Sequence, residues 1–242
     1  MKLEICANSY QSAINAEVAG AHRIELCSEL ALGGITPSYG LLSKVLSNLN
    51  IPVFVLIRPR AGDFCYSDDE MEIMKEDIRI CKQLGAAGIV SGVLKQDLSI
   101  DLERTKSLID IAGTLSFTFH RAFDWVPNPV EELFNLENLG VDRVLTSGQK
   151  PNVVLGLENL KTFQKASKGI GILPGGGVNE SNVQLFQKHQ FTELHLSASS
   201  LRKTIEHIPI PMNSDKHFDE YQQATSDIKK IKTCLQLLTN ES

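Results

Sequence analysis

Leu115–Asp124 reads LSFTFHRAFD, and this stretch decides the fold. Phe117 and Phe119 fall on one side, Thr118 and His120 on the other, which is the period-two alternation of a β-strand. The polar series reaches His120 where the chain leaves the strand. Arg121 and Asp124 follow, and Pro127 and Pro129 then open a helix. In a parallel α/β protein the carboxyl end of a strand is where ligands bind. The stretch therefore reads either as chemistry or as a salt-bridged corner of His120, Arg121 and Asp124 that ties down a loop.

Outward from it, an apolar segment recurs every ~30 residues, mostly followed by a helical pattern, as in βα units. The expected strands are Leu3–Asn8, Arg23–Ser28, Val53–Pro59, Gly88–Leu94, Leu115–Ala122, Arg143–Ser147, Gly169–Pro174 and Glu193–Ser197. The expected helices are Ser9–Ala19, Tyr39–Asn48, Asp68–Leu84, Leu102–Ala112, Pro129–Leu139, Val153–Lys165 and Asn179–His189. From about Ser214 to Leu238 the pattern predicts a polar loop and then a helix. Gly20, Gly85, Gly113 and Gly140 each follow a helical run, as C-terminal caps do. Ser67 with Glu70 has the spacing of a capping box.

Eight strands alternating with helices predict an α/β protein, a (β/α)8 TIM barrel of a single domain over residues 1–242. The barrel is expected over about residues 2–200, with a C-terminal loop-and-helix extension over about 201–242. An open doubly wound sheet is the rival. It is weakened because the first turn, Ala7-Asn8-Ser9-Tyr10, lacks G-x-G-x-x-G.

The formal net charge of −5 gives no basic footprint for nucleic acid or an anionic membrane. No apolar run approaches the ~20 residues of a membrane span, and MKLEICANS has no signal-peptide apolar region. These features predict a cytoplasmic protein. Its five cysteines are scattered with no C-x-x-C pair, which speaks against a disulfide framework or a zinc knuckle. Cys81 and Cys234 sit in helical patterns as small core residues.

Fully buried parallel strands usually read as continuous apolar runs. The first, second and eighth strands do not: they carry Glu4 and Cys6, Glu25 and Cys27, and His195 and Ser197 on one face. Closing the barrel would bring those residues together on one wall. Buried carboxylates need partners, and Arg23, Arg58 and Arg60 are candidates. Glu4 and Glu193, early in their strands, fit a charge network in the lower barrel; Glu25, Cys27 and His195 lie nearer the mouth.

The loops add further candidates. Thr36-Pro37 is expected to start a helix. Arg58 and Arg60 suit an anion, although Arg60 and Asp63 could equally form a latch within their loop. Thr146 and Ser147 place hydroxyls at the mouth. Gly175, Gly176 and Gly177, with Ser197, occupy the loops that cradle phosphate in many barrels.

ELC in the second strand, then GGITPS, RPRAGDFCYSDDE, FHRAFD and VLTSGQK, in this order, resemble the CutC family, from residue 2 to about residue 200. SDKHFDEY extends the likeness into the tail. The resemblance implies a (β/α)8 barrel, a cytosolic protein, often a homodimer, and copper binding, the family being named for copper homeostasis. Its shared polar set falls on Glu25, Arg58, Arg60, Asp63, His120, Arg121, Asp124, Thr146, Ser147 and His195. The copper proposal implied there rests on Cys27, with Cys6.

Two main functional readings stand side by side. In the first, Cu(I) is held by soft thiolates of Cys6 and Cys27, with His195 as a third ligand. In the second, a lyase or isomerase acts on a small phosphorylated or carboxylated anion. There Glu25 or His120 is the base, Arg58 binds the anion, His195 polarises the carbonyl and Asp124 completes the catalytic set. A binding barrel without catalysis is a third possibility.

Overall fold

The computed structural model describes residues 1–210, 212 and 219–239. Eight short parallel strands alternate with helices: β1 (Lys2–Ala7), α1 (Tyr10–Ala19), β2 (Arg23–Leu26), α2 (Tyr39–Leu46), β3 (Val53–Leu56), α3 (Asp68–Gln83), β4 (Gly88–Ser91), α4 (Leu102–Ala112), β5 (Ser116–Phe119), α5 (Pro129–Asn138), β6 (Arg143–Thr146), α6 (Leu157–Ala166), β7 (Gly171–Pro174), α7 (Val183–Lys188) and β8 (Glu193–Leu196). The sheet runs in order from β7 down to β1 and then β8. β1 lies between β2 and β8, with Cys6 opposite Glu25 and Glu4 opposite His195. A parallel bridge between Gly175 and His195 joins the two ends of the sheet and closes the ring. The fold is the TIM barrel expected from the sequence.

Alternation along each strand sorts the residues into two cores. Outward aliphatics such as Leu3, Ile5, Ile24, Val55 and Phe117 pack on the helices and are fully or nearly fully buried. Each such side chain contributes ~1.5–3 kcal/mol by leaving water. A smaller inner cluster of Cys6, Cys27, Phe54, Leu56 and Val90 fills part of the barrel. Beneath it runs the expected charge network. Arg23 donates to Glu4 and Glu193, Arg143 donates to Thr118 (3.1 Å), and both guanidinium groups stack on the Phe54 ring. Arg23 supplies the closest of these pairs, and Arg143 adds a second guanidinium 3.6 Å from Glu193. Arg58 and Arg60, the other candidates, lie elsewhere.

Helix ends follow local chemistry. Ser67 and Glu70 form the full capping box, and Gly20 ends α1 in the left-handed region. Four readings are corrected. α2 starts after Ser38, whose hydroxyl accepts the Leu41 N–H, and not at Thr36-Pro37. α6 begins at Leu157 rather than Val153, because Gly156 lies against the Ser147 carbonyl, where a Cβ would sit only 1.8 Å away. α7 is shorter than expected, because Asn179 and Asn182 first cap each other's turn. The tail after residue 200 is more than loop and helix. β9 (Ser199–Lys203) pairs antiparallel with β10 (Gln222–Ser226) before α8 (Ile228–Thr239) packs near α1 and α7. Ser214 to Phe218 of SDKHFDEY lie outside the described residues.

Candidate functional site

A cavity of about 480 Å³ opens at the carboxyl ends of the strands. Cys6, Glu25 and His195 line it, and His120 and Arg58 also lie on its surface. Leu56, Leu145, Phe64 and Trp125 supply an apolar wall, with Phe64 and Trp125 edge to face at 4.9 Å. Arg121, Asp124, Gly176, Gly177 and Ser197 also line it. The sequence-expected set is thus largely brought together in one place.

Strand pairing positions the polar centre. Cys6 and Glu25 are cross-strand partners, and His195 stands opposite Glu4. His195 Nδ1 is 2.7 Å from Glu4 Oε1 and 3.9 Å from Glu25 Oε2. Cys6 Sγ is 3.9 Å from Glu25 Oε1, and ligand atoms of Cys6, Glu25 and His195 all lie within 4.8 Å of one another.

Electrostatics divides these groups. Burial would raise Glu4, but its hydrogen bond to His195 and the Arg23 charge outweigh that and hold it at about 2. Burial disfavours the imidazolium of His195, yet the charge of Glu25 and the bond to Glu4 lift it above its ordinary value. Burial pushes Glu25 up to about 7 against the pull of His195. The contact with Cys27, then burial, push the Cys6 thiol well above its ordinary range. Glu25 Oε2 is buried and accepts no hydrogen bond from the described residues.

His120 is a different kind of group. It caps a 3-10 turn over Arg121–Trp125, its Nδ1 accepting the Ala122 N–H at 3.3 Å. Burial and then the nearby Arg58 charge hold it down to about 3, so the ring is neutral. A neutral imidazole that accepts at Nδ1 carries its hydrogen on Nε2. That Nε2 is buried with no hydrogen-bond partner among the described residues.

Several expected residues take other positions. Cys27 is fully buried beside Cys6, with the sulfurs 3.6 Å apart, and is not part of the cavity wall. Arg58 Nη1 and Nη2 donate to the carbonyls of Leu32, Gly34 and Gly62, which braces two loops. The Arg60 reading resolves to the latch: it pairs with Asp63 and, beyond the expectation, with Glu70. Asp124 lines the cavity, but both its oxygens are engaged. They accept from the Thr146 hydroxyl, the N–H groups of Ser147 and Gln149, and Arg121. The salt-bridged corner is therefore Arg121–Asp124, without His120.

Gly175 is the strand-bridging residue opposite His195. Gly176, at φ 101°, lies so close that a Cβ would come 3.2 Å from the Arg121 guanidinium. Arg121 itself stayed outside the catalytic set read from sequence, as did Phe64 and Trp125. The signals were present: Arg121 adjoins His120, and Trp125 is the chain's single tryptophan.

Comparison with known proteins agrees with this geometry. A model of the CutC family matches residues 1–200. The human copper homeostasis protein cutC homolog is 45% identical over 236 residues, covering 96% of this chain and 86% of that protein. A CutC family protein of Photorhabdus laumondii is 44% identical over 229 residues, 93% of this chain and 92% of its own. The crystal structure of the copper homeostasis protein CutC from Streptococcus agalactiae superposes with a TM-score of 0.77 at 32% identity, covering 81% of this chain and 98% of that one. A thiamine phosphate pyrophosphorylase from Pyrococcus furiosus, at 14% identity and a TM-score of 0.61, shares the barrel alone; it covers 98% of this chain and 95% of its own.

Proposed function

The chain belongs to the CutC family, and on that premise we propose that it handles copper as a cargo ion, held by Cys6, Glu25 and His195. One observation carries the reading: a thiol, a carboxylate and an imidazole converge within 4.8 Å. The donor set fits the ion. Thiol sulfur and imidazole nitrogen are the ligands that suit copper, and hard oxygen-only sites suit other metals. Glu25 Oε2, which accepts no hydrogen bond from the described residues, supplies an acceptor in the same place. Cys27 lies 3.6 Å behind Cys6 and serves as a second sulfur when the ion shifts inward.

The cytoplasm suits this reading, because all five cysteines are free and a reducing compartment keeps thiols available. No described helix is long and apolar enough to cross a membrane. The family likeness further supports a homodimer.

Anaerobic titration with Cu(I) against a chromophoric chelator tests the proposal. The native protein should retain about one equivalent of copper, and Cys6→Ser should weaken it by at least the ~10–100-fold typical of lost outer-shell support. Cys27→Ser should cost less. Equal retention by native and Cys6→Ser protein would remove the site.

A further inference from the structure

Six buried side-chain atoms among the described residues have no partner, and three of them, Glu25 Oε2, Arg58 Nε and His120 Nε2, belong to residues lining the one cavity. A buried donor or acceptor left unmade costs ~1–3 kcal/mol, so native structures rarely keep one without cause. Copper at Cys6, Glu25 and His195 would satisfy Glu25. It would leave the His120 Nε2–H unanswered, because a hydrogen-bearing nitrogen is no metal ligand. That N–H calls for an acceptor oxygen from a bound molecule.

The rest of the wall limits what the molecule is. Arg121 lines the cavity with a half-exposed side chain, and its Nη2 donates to Ser147 at 2.8 Å. It offers charge to an anionic group. Gly176 packs against this guanidinium with no side chain to cover it. Leu56, Leu145, Phe64 and Trp125 make the remaining wall apolar. A cavity of about 480 Å³ holds a small molecule and no polymer.

We propose that the copper-free cavity enolises a small carbonyl compound bearing one carboxylate or phosphate. His120 Nε2–H holds the carbonyl oxygen, Glu25 takes a proton from the adjacent carbon, and Arg121 pairs with the anion. The C–H electron pair becomes the new C=C bond, and the carbonyl π pair moves onto the oxygen that His120 holds. Return of a proton from Glu25 to carbon restores the carbonyl, so neither an oxidant nor a co-reactant is consumed. A neutral imidazole suits this work: it donates a hydrogen bond where charge develops without first having to lose a proton. The assignment shifts the base role wholly to Glu25 and moves carbonyl polarisation from His195 to His120.

Proton NMR in D2O, with a copper chelator present, tests the step. Two probes separate the anion classes: 2-oxobutanoate carries a carboxylate and dihydroxyacetone phosphate carries a phosphate. Native protein should speed deuterium entry next to the carbonyl of at least one probe. Glu25→Gln and His120→Gln, each verified as folded by its thermal transition, should slow it by the ~10²–10⁴-fold typical of a lost base and the ~10²–10³-fold typical of a lost oxyanion donor, respectively. Exchange of 2-oxobutanoate alone assigns a carboxylate substrate, and of dihydroxyacetone phosphate alone a phosphorylated one. The proposal falls if neither probe exchanges faster than in buffer, or if both variants match native protein. Because copper is absent here, failure leaves the copper site standing, and failure of copper retention leaves the enolisation standing.

Discussion

The lower and upper halves of this barrel bury similar chemistry and treat it in opposite ways. Below, Arg23 joins Glu4 to Glu193, and Arg143 leans on Thr118 and Phe54. Above, Glu25 Oε2 and His120 Nε2 have no hydrogen-bond partner among the described residues although both residues are nearly fully buried. A satisfied network holds a structure together, and an unsatisfied one marks where a further molecule belongs. His195 connects the halves, hydrogen-bonded to Glu4 below and facing the cavity above.

The largest effect should come from breaking the lower half. Arg23→Ala leaves the buried Glu4 without its guanidinium and Glu193 with only the 3.6 Å contact to Arg143, which should cost ~3–5 kcal/mol. Urea unfolding measures it, and a loss below about 1 kcal/mol would mean the network is not structural.

Acid should expose the upper half next. His120 sits at about 3 against an ordinary 6.5. The unfolded chain takes up a proton below about 6.5 that the folded chain refuses until about 3. Its stabilising contribution is therefore complete above pH 6.5 and declines as pH falls towards 3, by up to ~1.4 kcal/mol per pH unit. Urea midpoints between about pH 7 and pH 4.5 should fall less steeply for His120→Gln than for native protein; parallel curves would contradict the buried neutral ring.

The smallest effect should come from neutralising the upper carboxylate. Burial lifts Glu25 to about 7 from 4.5. The folded chain keeps a proton that the unfolded chain loses above about 4.5, so stability from this group is present at low pH and is lost as pH rises through 7. At about pH 8, Glu25→Gln should thus be as stable as native protein or more so, by ~1 kcal/mol. A clear loss in the same urea assay would make Glu25 part of the structural network after all.

Much of this was legible in the sequence because strands have period two. Glu4, Glu25, His120 and His195 alternate with aliphatic or aromatic residues, and a closed ring leaves polar residues on that face nowhere to go but inward. Parity does not say where a side chain turns once its strand has ended. Cys27 lies one residue beyond β2 and slides behind Cys6, and Arg58 lies beyond β3 and folds back onto loop carbonyls. The β9–β10 hairpin was hidden for another reason: its strands are mostly polar and separated by a long connection, so no alternation announces them. The tautomer of His120 depends on one backbone N–H from the turn after β5, which only coordinates reveal.

The bridge that closes the ring is also a mechanical element. Neighbouring strands elsewhere share at least two paired positions, whereas β8 and the end of β7 are backbone-paired at Gly175 and His195 alone among the described residues. His195 is thus both a clasp on the hoop and a wall of its chamber. Any occupant that grips this imidazole also cinches the thinnest seam, so filling the chamber and fastening the hoop become a single equilibrium.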